Sequence, residues 1–165
     1  MNVGITGHQN LGSSQQYNDI AVKLKQIITE HDVTCGYTCL AKGADQLFAE
    51  ILKKIGIPYH AIIPSENYDR TFDESISLLK YQDLLDHAVI KKVLSFPEPE
   101  EKAFYEAGKY VVESTELLIA IWDGQSARGL GGTGDIVKYC LSLNKNVIHL
   151  NTNDLSINIL SSSDC

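Results

Sequence analysis

The apolar positions of this chain switch repeatedly between strand-like runs and helical spacing, and each switch marks an expected element. Asn2 to Thr6 is a short apolar run closed by Gly7, after which Ile20, Leu24, Ile27 and Ile28 recur on one helical face. Val33 to Leu40, rich in Val, Thr, Cys and Tyr, predicts a second strand. Ala44, Leu47, Phe48, Ile51, Leu52 and Ile55 form the cleanest amphipathic stripe, and Gly56 with Pro58 supplies its stop. Tyr59 to Ile63 predicts a third strand, Asp73 to Asp86 a weaker helix, and Ala88 to Phe96 a further strand. Pro99 and its flanking glutamates suit the opening of a helix carrying Phe104, Ala107, Val111 and Val112. Leu117 to Trp122 is the most apolar run. A glycine-rich loop follows, then a helix with Ile136, Val137, Cys140 and Leu141 on one face, and a last strand at Val147 to Leu150.

Strands alternating with helices predict an α/β fold, a mostly parallel sheet with helices on both faces. Residues 1–150 are expected to form one domain, and 151–165 a polar, serine-bearing tail whose end is poorly ordered. Such sheets bind ligands beyond the carboxyl ends of their strands. A candidate site residue therefore has to follow an expected strand.

Four loops pass that test. The first, Gly7 to Ser14 (GHQNLGSS), has P-loop spacing with Ser13 where the lysine belongs, so it lacks the cation for outer phosphates. Gly4, Gly7 and Gly12 are too widely spaced for a dinucleotide fingerprint. What remains is a turn of close backbone approach, clustered amides and a helix start, with His8, Gln9 and Asn10 as donors. The second is Lys42-Gly43-Ala44-Asp45, in which Asp45 can cap the next helix or accept from a ligand hydroxyl. The third offers the Tyr68 ring as a stacking face and the Arg70 cation. The fourth runs from Trp122 to Asp135, with Asp123, Arg128, Gly131, Gly132 and Thr133 converging on a helix start. Arg70 and Arg128 are the chain's two arginines against twelve lysines, and arginine is the residue that forks onto phosphate.

Composition narrows the choice. A formal charge of −7 and a pI near 5.1 leave little to attract an extended nucleic acid, while a small anion in a local pocket stays possible. No segment reads as a signal peptide or membrane span, so a cytoplasmic protein is expected. The four cysteines read as reduced thiols, and no cysteine or histidine spacing suggests a metal.

Taken in order, Gly4-Ile5-Thr6-Gly7-His8, Ala41-Lys42-Gly43-Ala44-Asp45-Gln46-Leu47, Ala120-Ile121-Trp122-Asp123-Gly124 and Ala127-Arg128-Gly129-Leu130-Gly131-Gly132-Thr133-Gly134-Asp135 resemble the SLOG superfamily. That group of Rossmann-like domains includes the DNA-processing protein A family and the LONELY GUY hydrolases. The resemblance covers about Asn2 to Leu150 and implies a Rossmann-like sheet, a nucleotide-type ligand across the strand ends, its phosphate on the glycine-rich loop, and a homo-oligomer. No separate cofactor is expected. The LONELY GUY hydrolases carry Pro-Gly-Gly-x-Gly-Thr-x-x-Glu; here the residue three after Thr133 is the apolar Ile136, and Asp135 comes one position early. A helix turns by about 100° per residue, so Asp135 does not inherit that glutamate's direction and reads instead as a helix cap or an acceptor from a ribose or base. Two readings stand: a module that binds or senses a nucleotide or nucleotide-derived molecule, and a nucleoside or nucleotide N-glycosidase or (deoxy)ribosyltransferase using Asp123 or Asp135 as the catalytic carboxylate. The missing glutamate register favours binding.

Overall fold

The computed structural model describes residues 1–127 and 129–164. Six strands alternate with five helices: β1 (Asn2–Gly7), α1 (Ser14–Glu30), β2 (Cys35–Thr38), α2 (Ala44–Ile55), β3 (Tyr59–Ser65), α3 (Ser75–His87), β4 (Ile90–Phe96), α4 (Glu101–Glu113), β5 (Leu117–Trp122), α5 (Thr133–Ser142) and β6 (Asn146–Asn151). A seventh strand, β7 (Ile157–Leu160), completes a single sheet ordered β4-β3-β2-β1-β5-β6-β7. All neighbours pair in parallel except β6 and β7. This is the mostly parallel, Rossmann-like arrangement the alternation predicts.

The C-terminal segment departs from expectation. Residues 151–165 were expected as a tail outside the domain, but Ile157–Leu160 pairs antiparallel with β6, Val147 opposite Leu160. Four residues among serines and asparagines are too few for a periodic signal, and the two-stranded register supplies what the pattern lacks.

Burial explains why the helices lie where they do. The face formed with α1, α2 and α3 packs Ile20, Leu24, Ile27, Phe48 and Leu52 against Val3, Ile5 and Ile119. The opposite face packs Ala107, Val111, Ile136 and Val137 of α4 and α5 against Leu118, Ala120 and Val147. Every residue of β5 is buried, which is why its sequence is a continuous apolar run rather than an alternating one. Each fully buried side chain such as Phe48 contributes about 1.5–3 kcal/mol relative to exposure. The strand order reverses between β1 and β5, so the chain leaves these two neighbours toward opposite faces and opens a crevice at their carboxyl ends.

Candidate functional site

A cavity of about 880 Å³ fills that crevice. Its wall takes Gly7 to Asn10 from the end of β1 and the loop after it, Cys39, Ala41, Lys42 and Asp45 after β2, Tyr68 and Phe72 after β3, and Trp122, Asp123, Gln125 to Ala127 and Gly131 to Gly134 around the loop after β5. The first loop and the glycine cluster, expected to meet at one rim of the sheet, do so.

Glycine makes the junction of these loops possible at two places. Gly43 has φ +88°, and a Cβ there would stand 2.4 Å from the carbonyl oxygens of His8 and Gln9. A Cβ on Gly7 would meet Ala44 Cβ at 2.5 Å and the Ile121 carbonyl oxygen at 2.6 Å. Backbone bonds use this closeness: the His8 amide donates to Ile121 at 2.9 Å and the Ala44 amide to His8 at 3.1 Å. The ends of β1 and β5 and the start of α2 are thus one rigid frame.

The helix starts do not contribute equally. Ser13 and Gln16 form a complete capping box at α1, the Ser13 amide donating to Gln16 at 2.8 Å and the Gln16 amide to Ser13 Oγ at 3.3 Å. Residues 11–14 line no part of the cavity, so the helix start of the opening loop is not the anion site it was expected to be. At α5 the cap is Gly132, with no side-chain bond to the helix, and Gly131 to Gly134 all face the cavity. The amides of Thr133 and Gly134, first in the helix, have no acceptor within it. They and the helix dipole favour an anion at this point.

Asp45 is buried and its Oδ2 accepts from the Cys39 amide at 2.9 Å and from Thr38 Oγ1 at 3.2 Å. It does not cap α2, whose cap is Gly43; it folds the β2 loop back on itself while still lining the cavity. Burial pushes its carboxyl up to about 7, against the Cys39, Thr38 and Ala41 hydrogen bonds that favour the ionised form. Asp123 behaves oppositely. The Gln125 amide, then His8, hold its carboxyl below the usual carboxylate range. His8 Nε2 lies 3.2 Å from the Asp123 amide nitrogen and 3.4 Å from Oδ1. A neutral His8 accepts from the amide; a protonated one pairs with the carboxylate.

Several expected site residues lie elsewhere. Arg70 is exposed in the short 3-10 turn Tyr68–Thr71 and does not line the cavity. Asp135 accepts from the Gly131 amide at 3.3 Å and does not reach the cavity, which tells against its catalytic role. Gly43 acts through packing rather than ligand contact. Tyr68 lines the cavity, but its ring is packed edge-on by Phe72 and Tyr81, so it presents no stacking face. Arg128 lies outside the described residues. Lys42 of the second loop also lines the cavity, its Nζ 2.7 Å from Glu74, and the structure adds the apolar wall of Pro64, Phe72, Phe104 and Trp122. The strand-end test selects the loop that carries Lys42; Phe104, in the first turn of α4, gives no such signal.

No family model and no curated protein sequence matches this chain. Solved structures do. DNA processing protein A from Streptococcus pneumoniae aligns with TM-score 0.64 and 16% identity over 90% of this chain and 49% of its own. DNA processing protein A from Helicobacter pylori, whose single-stranded DNA binding mode was studied, gives TM-score 0.67 and 13% identity over 96% and 68%. The molybdenum cofactor binding protein from Rippkaea orientalis gives 0.56 and 22% over 91% and 76%. The chain therefore spans about half of the first of these proteins. The fold is theirs, the Rossmann-like arrangement expected from the sequence; the H. pylori protein binds single-stranded DNA and the R. orientalis protein binds the molybdenum cofactor.

Proposed function

We propose that this protein binds a nucleotide or nucleotide-derived small molecule in the crevice between β1 and β5, with phosphate on the Thr133 and Gly134 amides. The observation that carries this reading is the single cavity shared by the first loop and the uncapped start of α5. Its volume of about 880 Å³ suits such a ligand. His8, Gln9 and Lys42 add donors around it. The fold likeness to a molybdenum cofactor binding protein supports a small-molecule cargo. Single-stranded DNA, bound by the H. pylori protein, fits less well with a net charge of −7 and a recessed site. Thermal unfolding with a panel of purine and pyrimidine nucleoside monophosphates tests the reading. At least one is expected to raise the midpoint, and no shift with any overturns it.

The His8 and Asp123 pair favours a second reading, N-glycosidic cleavage. An ionised carboxylate held by an imidazole at the cavity rim can stabilise an oxocarbenium-like sugar. Chromatography for free base after incubation with the same panel decides: base release that disappears in Asp123→Asn establishes turnover. We also propose a homo-oligomer, supported by Ile76, Leu79, Val89, Ile90 and Val93, which leave exposed apolar surface along α3 and β4. Native mass spectrometry reads the subunit number and any retained ligand together.

A further inference from the structure

The aromatic wall of the cavity holds one polar group that the fold does not use. Tyr68 is 4% exposed, with its ring centroid 5.4, 5.5 and 6.2 Å from those of Phe72, Tyr81 and Phe104. Its backbone carbonyl accepts from Thr71, but its hydroxyl bonds to no described residue. Tyr59, equally buried, gives its hydroxyl to the Leu84 carbonyl at 2.6 Å. Among the described residues no side-chain polar atom sealed from solvent lacks a partner. The Tyr68 hydroxyl is therefore not sealed, and the space it opens on is the cavity its residue lines. Burial, followed by the neighbouring Cys39, Asp45 and Tyr81 groups, keeps it protonated far above the ordinary tyrosine range. It is a donor with nowhere in the protein to donate.

We infer that the Tyr68 hydroxyl and the adjacent Asp45 carboxyl form a recognition subsite for the lactam edge of an oxo-substituted heterocycle, the hydroxyl donating to the ring carbonyl and the carboxyl accepting from the ring N–H. This rests on the nucleotide-binding reading above and adds to it the chemistry of the base. The walls suit a flat ring: Pro64, Phe72 and Phe104 supply apolar surface, while Asp45 supplies a polar edge. Asp45 is held for the task, because Thr38 and the Cys39 amide fix its Oδ2. A hydroxyl so placed discriminates by being left unpaired when the ligand lacks the carbonyl, a loss of about tenfold or more in affinity.

The test compares inosine 5′-monophosphate, which has the lactam edge, with purine riboside 5′-monophosphate, which lacks it, on wild type and Tyr68→Phe by calorimetry. Wild type is expected to prefer the inosine compound by about tenfold or more. Tyr68→Phe is expected to lose that preference, to bind the purine riboside compound unchanged, and to unfold without ligand at the wild-type temperature, since no protein hydrogen bond is removed. Equal weakening of both ligands, an unliganded variant with a lowered midpoint, or an unchanged preference overturns the inference. So does wild-type binding of nucleoside monophosphates with no preference for the lactam, an outcome that leaves the binding reading standing. Failure of every monophosphate to bind overturns both.

Discussion

His8 and Asp123, 115 residues apart in sequence, meet at the cavity rim with Nε2 3.4 Å from the carboxylate and 3.2 Å from the amide. The contact fastens the loop after β5 to the loop after β1. His8→Ala removes both bonds and leaves Asp123 held by the Gln125 amide alone. Both side chains are about one-third exposed, so the loss of stability is expected below about 1 kcal/mol. Nucleotide affinity, read by calorimetry, is expected to fall by about tenfold, because a rim loop is freed that the ligand must then order.

Gly132→Val places a branched side chain at the mouth of the amide cluster, where even a Cβ would lie 2.9 Å from that of Ala127. Ala127 sits in a loop whose residues 124–126, 129 and 130 are exposed and which can give way without disturbing the core, so the unliganded midpoint is expected to change little. Ligand-induced stabilisation, about 2.7 kcal/mol when ligand exceeds Kd a hundredfold, is expected to vanish. Equal stabilisation of both proteins would remove this loop from the site.

Gly43→Ala acts on the frame rather than on the ligand. The new Cβ stands 2.4 Å from two backbone oxygens at φ +88°, and backbone has no rotamer to escape into. A stability loss of about 1–3 kcal/mol is expected by urea unfolding, with affinity falling as His8 is displaced.

Asp45 makes stability depend on pH in the direction opposite to most carboxylates. Its folded value of about 7 lies above its ordinary 3.8, so the native state binds its proton more tightly than the unfolded chain does. Its contribution is complete below 3.8 and is lost as pH rises through about 7. Asp45→Asn keeps an acceptor for the Cys39 amide and removes the titration. Urea midpoints from pH 5 to pH 8 are expected to decline more steeply in wild type than in the variant, and parallel curves would refute the assignment.

Much of this architecture is legible in the sequence because burial imposes periodicity. Leu117 to Trp122 is apolar throughout and is a strand buried on both faces; Ala44 to Ile55 carries its stripe and is a helix with exactly those ends. The lining of the candidate site was legible where it depends on strand ends and glycines, as at Gly7, His8 and Gly132. It was not legible where a side chain's direction decides. Arg70 and Tyr68 are two residues apart in one short turn, yet only the second reaches the cavity. Asp135 sits in the first turn of α5 and is spent on Gly131. Ser13 and Gln16 satisfy the start of α1 locally, an outcome that the P-loop-like spacing around Ser13 conceals.

The reversal of strand order between β1 and β5 has a mechanical consequence. The cavity draws its wall from Gly7, His8, Asp45 and Phe72 on the earlier part of the chain and from Phe104, Trp122 and Gly132 on the later part, so a molecule lodged there touches both halves of the chain at once. Occupancy would brace the seam like a wedge keyed into an arch, slowing amide exchange in α2 and α5 together although the two helices lie on opposite faces of the sheet.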